Sequence, residues 1–460
     1  MNLNVLKSLR EPGSFKTLLF HSSWAITLTS GFSYFFGLIR DRIFAHEFGL
    51  SRTLDIYNAA FVIPDMMLGI LVSTALSAAF VPIFTKLYDE KKSLGYAYAR
   101  QIITWGVTLL LLLALVVGLF LPYFAHLLVP GFEGEELKTY ILLTRVMLLA
   151  PVLFTMSNAY GRILISVKEF LWWGLSPALY NVGIVFGVLV LVPRFGLVGL
   201  VFGTLIGVVF HLLARFLPLK KKKYAFKNKI DFTFSPEIKE TILLTLPKML
   251  QYTMWFVMLM QFTAIASDLS EGSIAAYNYA RNFMSLPVSL LGIAIAMAMY
   301  PTLSHDAGKG NFKKFKTDFR RNRMKCIIYT TLAAIALALL ARFVVSLLLG
   351  GGEFSKEDID LLTNLLRVYC IAVPLESLMH IYHRTYYSLR NTVIPGLLHG
   401  AIILATIFTA KILAPSVGIY ALPLSFGGWL AVQIVVLAVV FPSVLKGKQE
   451  AFSRLKGSPQ

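Results

Sequence analysis

The sequence predicts an all-α integral membrane protein of about twelve transmembrane helices in two six-helix lobes. Three observations carry that expectation. The first is composition. Of 460 residues, 57% are hydrophobic and only 15% are charged, whereas soluble domains carry about 25% charged residues. The second is patterning. Apolar windows of about 20 residues, enough to cross a bilayer as a helix, recur from end to end, and nothing reads as the short alternating strands of a barrel. The third is an internal repeat at an offset of about 220 residues. Tyr57-Asn58 returns as Tyr277-Asn278, and Val81-Pro82-Ile83-Phe84-Thr85 as Tyr300-Pro301-Thr302-Leu303-Ser304. Arg162 with Ser166-Val167-Lys168-Glu169 returns as Arg384 with Ser388-Leu389-Arg390-Asn391, and Pro151 and Pro374 precede these by similar distances. Each match is weak alone; the shared offset joins them. An even number of helices per repeat gives parallel halves related by an axis along the membrane normal, an architecture that transporters use.

The helices follow in order. The basic start, MNLNVLKSLREPGSFK, leads into an apolar run with no small-residue cleavage site, so it reads as a retained first helix rather than a signal peptide. Helix 1 is expected over residues 16–47, helix 2 over 54–87, helix 3 over 97–128, helix 4 over 136–167, helix 5 over 171–192 and helix 6 over 196–217. These form an N-terminal lobe, 1–217. A basic linker, 218–235, contains PLKKKKYAFKNK. The C-terminal lobe, 236–445, holds helix 7 (237–267), helix 8 (273–304), helix 9 (318–349), helix 10 (357–389), helix 11 (393–414) and helix 12 (418–444). A tail, 446–460, follows.

Charge assigns sides. One set of loops is basic: Lys86, Lys91, Lys92 and Arg100; Lys168; Lys220–Lys223; the run from Lys309 to Lys325; Arg384 and Arg390; Lys446 and Lys448. The alternate loops are acidic or neutral, with Glu133, Glu135 and Glu136, then Asp268 and Glu271, then Glu353, Glu357, Asp358 and Asp360. Cytoplasmic loops concentrate Lys and Arg, so both termini are expected in the cytoplasm. The same rule accounts for the net charge of +19 without nucleic acid as a partner. Gly37–Asp55 is the exception, an outer stretch with Arg40, Arg42 and Arg52.

Charges within apolar helices are costly and face a partner or a wet cavity. Arg40 and Arg281 are read as cavity-facing anion contacts, because the guanidinium fork suits phosphate oxygens; the alternative is snorkelling from a helix end. Asp55 is a functional carboxylate, an N-cap or an ion partner of Arg52; Arg42 and Arg52 can also be solvated. Lys248 lies about a dozen residues into helix 7, too deep for easy snorkelling, so a cavity role is weighed. Glu376 and His380, one turn apart, form either a proton-coupling pair or a structural hydrogen bond. Pro64, Pro247, Pro287, Pro374 and Pro395 are expected to kink helices. No Walker A, HExxH or GxSxG sequence occurs. Neither catalysis, a metal site nor a cofactor is expected, and Cys326 and Cys370 suggest no disulfide framework.

Ser33-x-x-x-Gly37-x-x-Arg40-Asp41, Phe48-Gly49, Asp55, Pro64 and Ala79-Phe80-Val81-Pro82-Ile83 resemble the start of the MurJ (MviN) family of lipid II flippases, in the MOP transporter superfamily. Pro177-x-x-x-Asn181, Tyr279-Ala280-Arg281 with Pro287, and Pro301-x-Leu303-Ser304 extend the resemblance over nearly the whole chain. It implies two lobes in a V that carry an undecaprenyl-pyrophosphate-linked saccharide across the bacterial inner membrane by alternating access. It also implies that Arg40, Asp55 and Arg281 meet the pyrophosphate and sugar. The chain departs from the family pattern at Tyr34, Leu68 and Ser73, where arginine, arginine and glutamate are usual. Helix 11 has no carboxylate for a sodium site, and twelve helices can be placed where fourteen are usual. Rival readings are a flippase for a related lipid-linked sugar, a cation-coupled multidrug-type exporter, and a membrane scaffold that recruits cell-wall enzymes through basic loops. Membrane lipids are expected partners, and the working form is expected to be a monomer.

Overall fold

The computed structural model describes residues 23–73, 76–221, 224 and 226–457. The basic start and residues 16–22 of the expected first helix lie outside them, as do Lys222 and Lys223. The described residues are almost wholly helical: α1 Ser23–Phe48, α2 Arg52–Met67, α3 Val81–Glu90, α4 Lys92–Leu128, α5 Gly134–Met147, α6 Leu149–Ser166, α7 Phe170–Phe186, α8 Val192–Leu219, α9 Pro236–Ser267, α10 Ser273–Pro287, α11 Ala294–Gly308, α12 Phe312–Leu349, α13 Lys356–Cys370, α14 Ala372–Ser388, α15 Val393–Val417 and α16 Ala421–Gly457. Eight runs are long and apolar enough to cross a membrane, and two of them, Phe170–Leu219 and Val393–Ser453, double back at Gly196 and Gly418. With α1 and α9 these make twelve passes among the described residues.

Several boundaries differ from expectation, for stated reasons. Helices 4 and 10 are each broken in two, at Leu148 and Ile371. Pro151 and Pro374 lack the N–H that would bond the carbonyls of Met147 and Cys370, and their rings crowd those carbonyls; α5 and α13 end at those residues. Pro287 is followed by a π-helical turn, Val288–Ile293, and the run beyond Pro64 by two, Leu68–Ser73 and Leu76–Phe80. Pro395 does not interrupt a helix. It sits in the first turn of α15, where the missing N–H has no helical partner to lose. Pro247 falls within the continuous α9, its side chain outside the described residues. Residues 446–457, expected as a tail, extend α16 instead.

The chain groups into two compact units, Met1–Phe256 and Val257–Gln460. The division falls inside α9 rather than at the basic linker. Two contacts give the reason: Tyr98 and Thr241 share a 2.7 Å hydroxyl hydrogen bond, and the Phe256 ring lies so close to Gly69 that a Cβ there would approach it to 2.2 Å. The linker is likewise strapped to the first unit. Tyr224 donates to Glu169 at 2.6 Å, the Asp231 N–H donates to Thr104 at 3.0 Å, and Phe232 and Phe234 stand edge-on to Trp105.

In the first unit α7 and α8 form a close antiparallel hairpin. Gly183 faces Gly207 and Gly187 faces Gly203, with an added Cβ meeting backbone at 2.2–2.6 Å. Small residues let helix backbones approach in lipid, where little hydrophobic force drives them together. The long helices α4 and α12 instead turn leucine stripes outward, Leu112, Leu115 and Leu119 on one, Leu332, Leu339 and Leu347 on the other. Such exposure suits lipid contact.

Candidate functional site

Each unit holds one of the predicted arginine sites. In the first, α1 runs beside α7. Ser33, Gly37 and Arg40 share one helical stripe, spaced four and three residues apart, and all three serve this contact. Ser33 Oγ donates to the Gly174 carbonyl at 2.9 Å, Gly37 lies opposite Asn181, and Arg40 Nη1 donates to Asn181 Oδ1 at 3.2 Å. Arg40 also grips its neighbour, Nε and Nη2 donating to Asp41 Oδ1 at 3.0 and 2.7 Å. Its guanidinium is therefore held before any ligand arrives, while its side chain keeps 26% of its exposure. Beneath it, Tyr57 and Thr204 share a buried 2.8 Å hydrogen bond that ties α2 to α8.

Asp55 is fully buried in the first turn of α2. It is not the N-cap; Ser51 is, accepting the Leu54 N–H at 3.4 Å. Arg52, one turn before it, has its Nε 3.6 Å from Glu136 and its guanidinium stacked on Phe132 at 5.3 Å. Arg52 is thus a tether to the start of α5, not a solvated charge. Arg42 is exposed on the surface of α1. Lys248 lies on α9, and its side chain falls outside the described residues.

In the second unit Arg281 of α10 meets Glu376 of α14 in a two-pronged pair, Nη1–Oε2 at 3.0 Å and Nη2–Oε1 at 3.3 Å. The side chains keep only 16% and 10% of their exposure. The Phe426 ring of α16 covers the guanidinium at 4.9 Å, and Met284 Sδ lies 3.7 Å from Nη1. This arrangement gives Glu376 a partner that the sequence reading did not name. Among the described residues no hydrogen bond joins Glu376 to His380; the carboxylate is taken by an arginine on another helix. Helical spacing placed Glu376 and His380 on one face, but a fork of two charge-assisted bonds outweighs a single neutral one.

Buried polar clusters went unnoticed in the sequence. In the first unit, α6, α7 and α8 converge on Arg215, Ser157, Asn158, Ser176 and His211. In the second, α14, α15 and α16 converge on Gln433, whose amide nitrogen lies 3.1 Å from His383 and 3.3 Å from His399. The available signal was the pairing of His211 with Arg215 one turn apart in an otherwise apolar run.

Sequence comparison places these sites in a known family. The family profile described as "Lipid II flippase MurJ" matches residues 44–455. Curated proteins named "Probable lipid II flippase MurJ" are similar along most of their length. That of Borreliella burgdorferi is 24% identical, covering 81% of this chain and 74% of its own. That of Bdellovibrio bacteriovorus is 28% identical, with 79% and 70% covered, and that of Aquifex aeolicus 28%, with 82% and 74%. Among solved structures, a lipid II flippase MurJ in an inward closed conformation superposes with a TM-score of 0.78 at 19% identity, over 95% of this chain and 94% of its own. An inward-facing multidrug resistance MATE transporter of the MOP superfamily superposes at 0.74 and 17% identity, over 91% and 96%. The fold is that of MOP-superfamily transporters, in a multi-pass membrane protein. The chain belongs to the lipid II flippase MurJ family.

Proposed function

We propose that this chain translocates lipid II, the lipid-linked peptidoglycan precursor, across the bacterial cytoplasmic membrane, as its named relatives do. The observation that carries the reading is the family match over 44–455, with Arg281 inside the matched span and Arg40 four residues before it. Both arginines are pre-positioned by acceptors, Asp41 and Asn181 for one and Glu376 for the other. A pyrophosphate would compete with these acceptors for the guanidinium groups, so anion arrival exchanges one partner for another without stranding a charge. Asp55, Lys248 and His380 are assigned supporting roles near the same path. Both termini are placed in the cytoplasm by the loop charges, the chain acts as a monomer among membrane lipids, and no step is enzymatic.

The test is complementation of cells depleted of their own flippase. Arg40→Ala and Arg281→Ala should each abolish growth, and purified wild-type protein should retain lipid II in native mass spectrometry. Full growth with both changes, or retention of a different undecaprenyl-linked sugar in place of lipid II, would overturn the assignment. A multidrug-type exporter is the second reading, favoured by the MATE superposition. It would want an unpaired carboxylate in the second unit, whereas Glu376 is occupied by Arg281. Drug resistance on overexpression with normal precursor levels would support it.

A further inference from the structure

Arg215 is an arginine with no acid. It lies on α8 five residues from the helix end at Lys220, keeps 6% of its exposure, and is held entirely by neutral groups. Nε donates to Ser176 Oγ at 2.7 Å, and Nη1 donates to Asn158 Oδ1 at 2.8 Å and the Ser157 carbonyl at 3.3 Å. That uses three of the five N–H donors of a guanidinium. The two on Nη2 have no hydrogen-bond partner among the described residues. The neighbouring charge is another cation, the half-buried Arg162 of α6, whose guanidinium likewise has no carboxylate among the described residues. Room has been made for the arrangement: a Cβ on Gly161 would stand 2.8 Å from Arg215 Nη1.

Two adjacent cations, one of them buried, repel one another and are costly in a membrane. Serine and asparagine acceptors orient the fork but leave the charge uncompensated. An external anion would supply the missing counter-charge. Depth narrows the class. Five residues of α-helix place Arg215 about 7 Å below the end of α8, within reach of the headgroup layer. The exposed Lys220 and Lys221 stand at the same end. A forked pair of Nη2 donors beside a second guanidinium matches the tetrahedral oxygens of a phosphate group.

We propose that Arg215 and Arg162 form a phosphate-binding site in the first unit, separate from the Arg40 and Arg281 sites and independent of what the protein transports. The phosphate comes from an anionic lipid headgroup or from soluble phosphate at this face.

The test uses the purified full-length protein in neutral detergent, stripped of lipid, with two probes: phosphatidylglycerol and inorganic phosphate. Native mass spectrometry counts retained lipid, and thermal denaturation reads stabilisation by either probe. Wild type should bind at least one probe. Arg162→Gln, at a half-buried position that tolerates the change, should weaken that binding about tenfold. Arg215→Met, which keeps volume and removes charge, should abolish it. Lys221→Gln, which removes an exposed charge at the same end, should have an effect of twofold or less. Retention of phosphatidylglycerol alone identifies a lipid headgroup; stabilisation by inorganic phosphate alone identifies a soluble source; either supports the site. Equal binding by wild type, Arg162→Gln and Arg215→Met overturns it, as does a loss in Lys221→Gln as large as that in Arg162→Gln.

Discussion

The three-helix cluster of α6, α7 and α8 and its counterpart of α14, α15 and α16 have the same backbone and different contents. Both begin with a helix broken just before a proline, Pro151 or Pro374. In both, that helix ends on a residue other than glycine in the left-handed region, Lys168 (φ 62°) or Arg390 (φ 60°). Each cap is closed in the same way, by Glu169 N–H to the Leu164 carbonyl at 2.8 Å and by Asn391 N–H to the Tyr386 carbonyl at 3.0 Å. Both hairpins turn at a glycine, Gly196 (φ 57°) or Gly418 (φ 59°). All these pairs lie about 220 residues apart, and so do His211 and Gln433, each a member of its unit's polar cluster. Yet one cluster surrounds a guanidinium and the other surrounds two imidazoles and an amide. The devices that set chain direction are shared, while the buried chemistry has diverged. A duplicated scaffold constrains where polar groups can sit more than which ones sit there.

Four measurements sharpen or break that contrast. The largest effect is expected from the ion pair peculiar to the second unit. Glu376→Ala leaves Arg281 buried without its partner and should cost about 3–5 kcal/mol, read as a drop in thermal midpoint. The double change Arg281→Met with Glu376→Leu should recover most of that stability but not transport. If Glu376→Ala melts like wild type, the pair is not holding α10 to α14. Next come the hairpins. Gly203→Val drives a side chain into the Gly187 backbone and should cost about 1–3 kcal/mol or more, whereas Gly396→Ala, with nothing within 4 Å, should stay within about 0.5 kcal/mol. Equal effects would mean that the α7–α8 approach is not as close as described. Third, Gln433→Leu strands the facing nitrogens of His383 and His399 and should cost about 1–3 kcal/mol. The smallest effect tests the shared backbone: Lys168→Gly and Arg390→Gly should each stabilise by about 1 kcal/mol, since glycine enters the left-handed region freely. A gain at one site and a loss at the other would undo the parallel.

The passes and the repeat were legible because they are written locally, in apolar length, proline placement and loop charge. Ser33, Gly37 and Arg40 were marked in the sequence by the resemblance to the family's start, and the structure shows that their spacing sets all three on one face of α1. The partner of Arg281 was not. Glu376 is 95 positions away and carries no local mark of the contact, while His380, one turn along, drew attention first. Asp55 was ambiguous for a similar reason: an acidic residue four positions beyond Ser51 reads as a cap until the backbone shows that the serine has taken that place. Arg215 escaped notice because a single arginine near a helix end normally snorkels; only the packing of Ser157, Asn158 and Ser176 around it shows that it points inward.

The continuation of α16 to Gly457 has a practical consequence. Phe452 stands edge-on to Phe312 at 5.9 Å and lies over Gly310, where a Cβ would come within 2.1 Å of the ring. The last turns of this helix are thereby clamped to the bend between α11 and α12, and they form a stiff handle rather than a tether. A spin label or fluorophore on the exposed Ser453 would ride with the second unit as a rigid body. Its spectrum would report the tumbling of that unit during a transport cycle, with little blur from the linker.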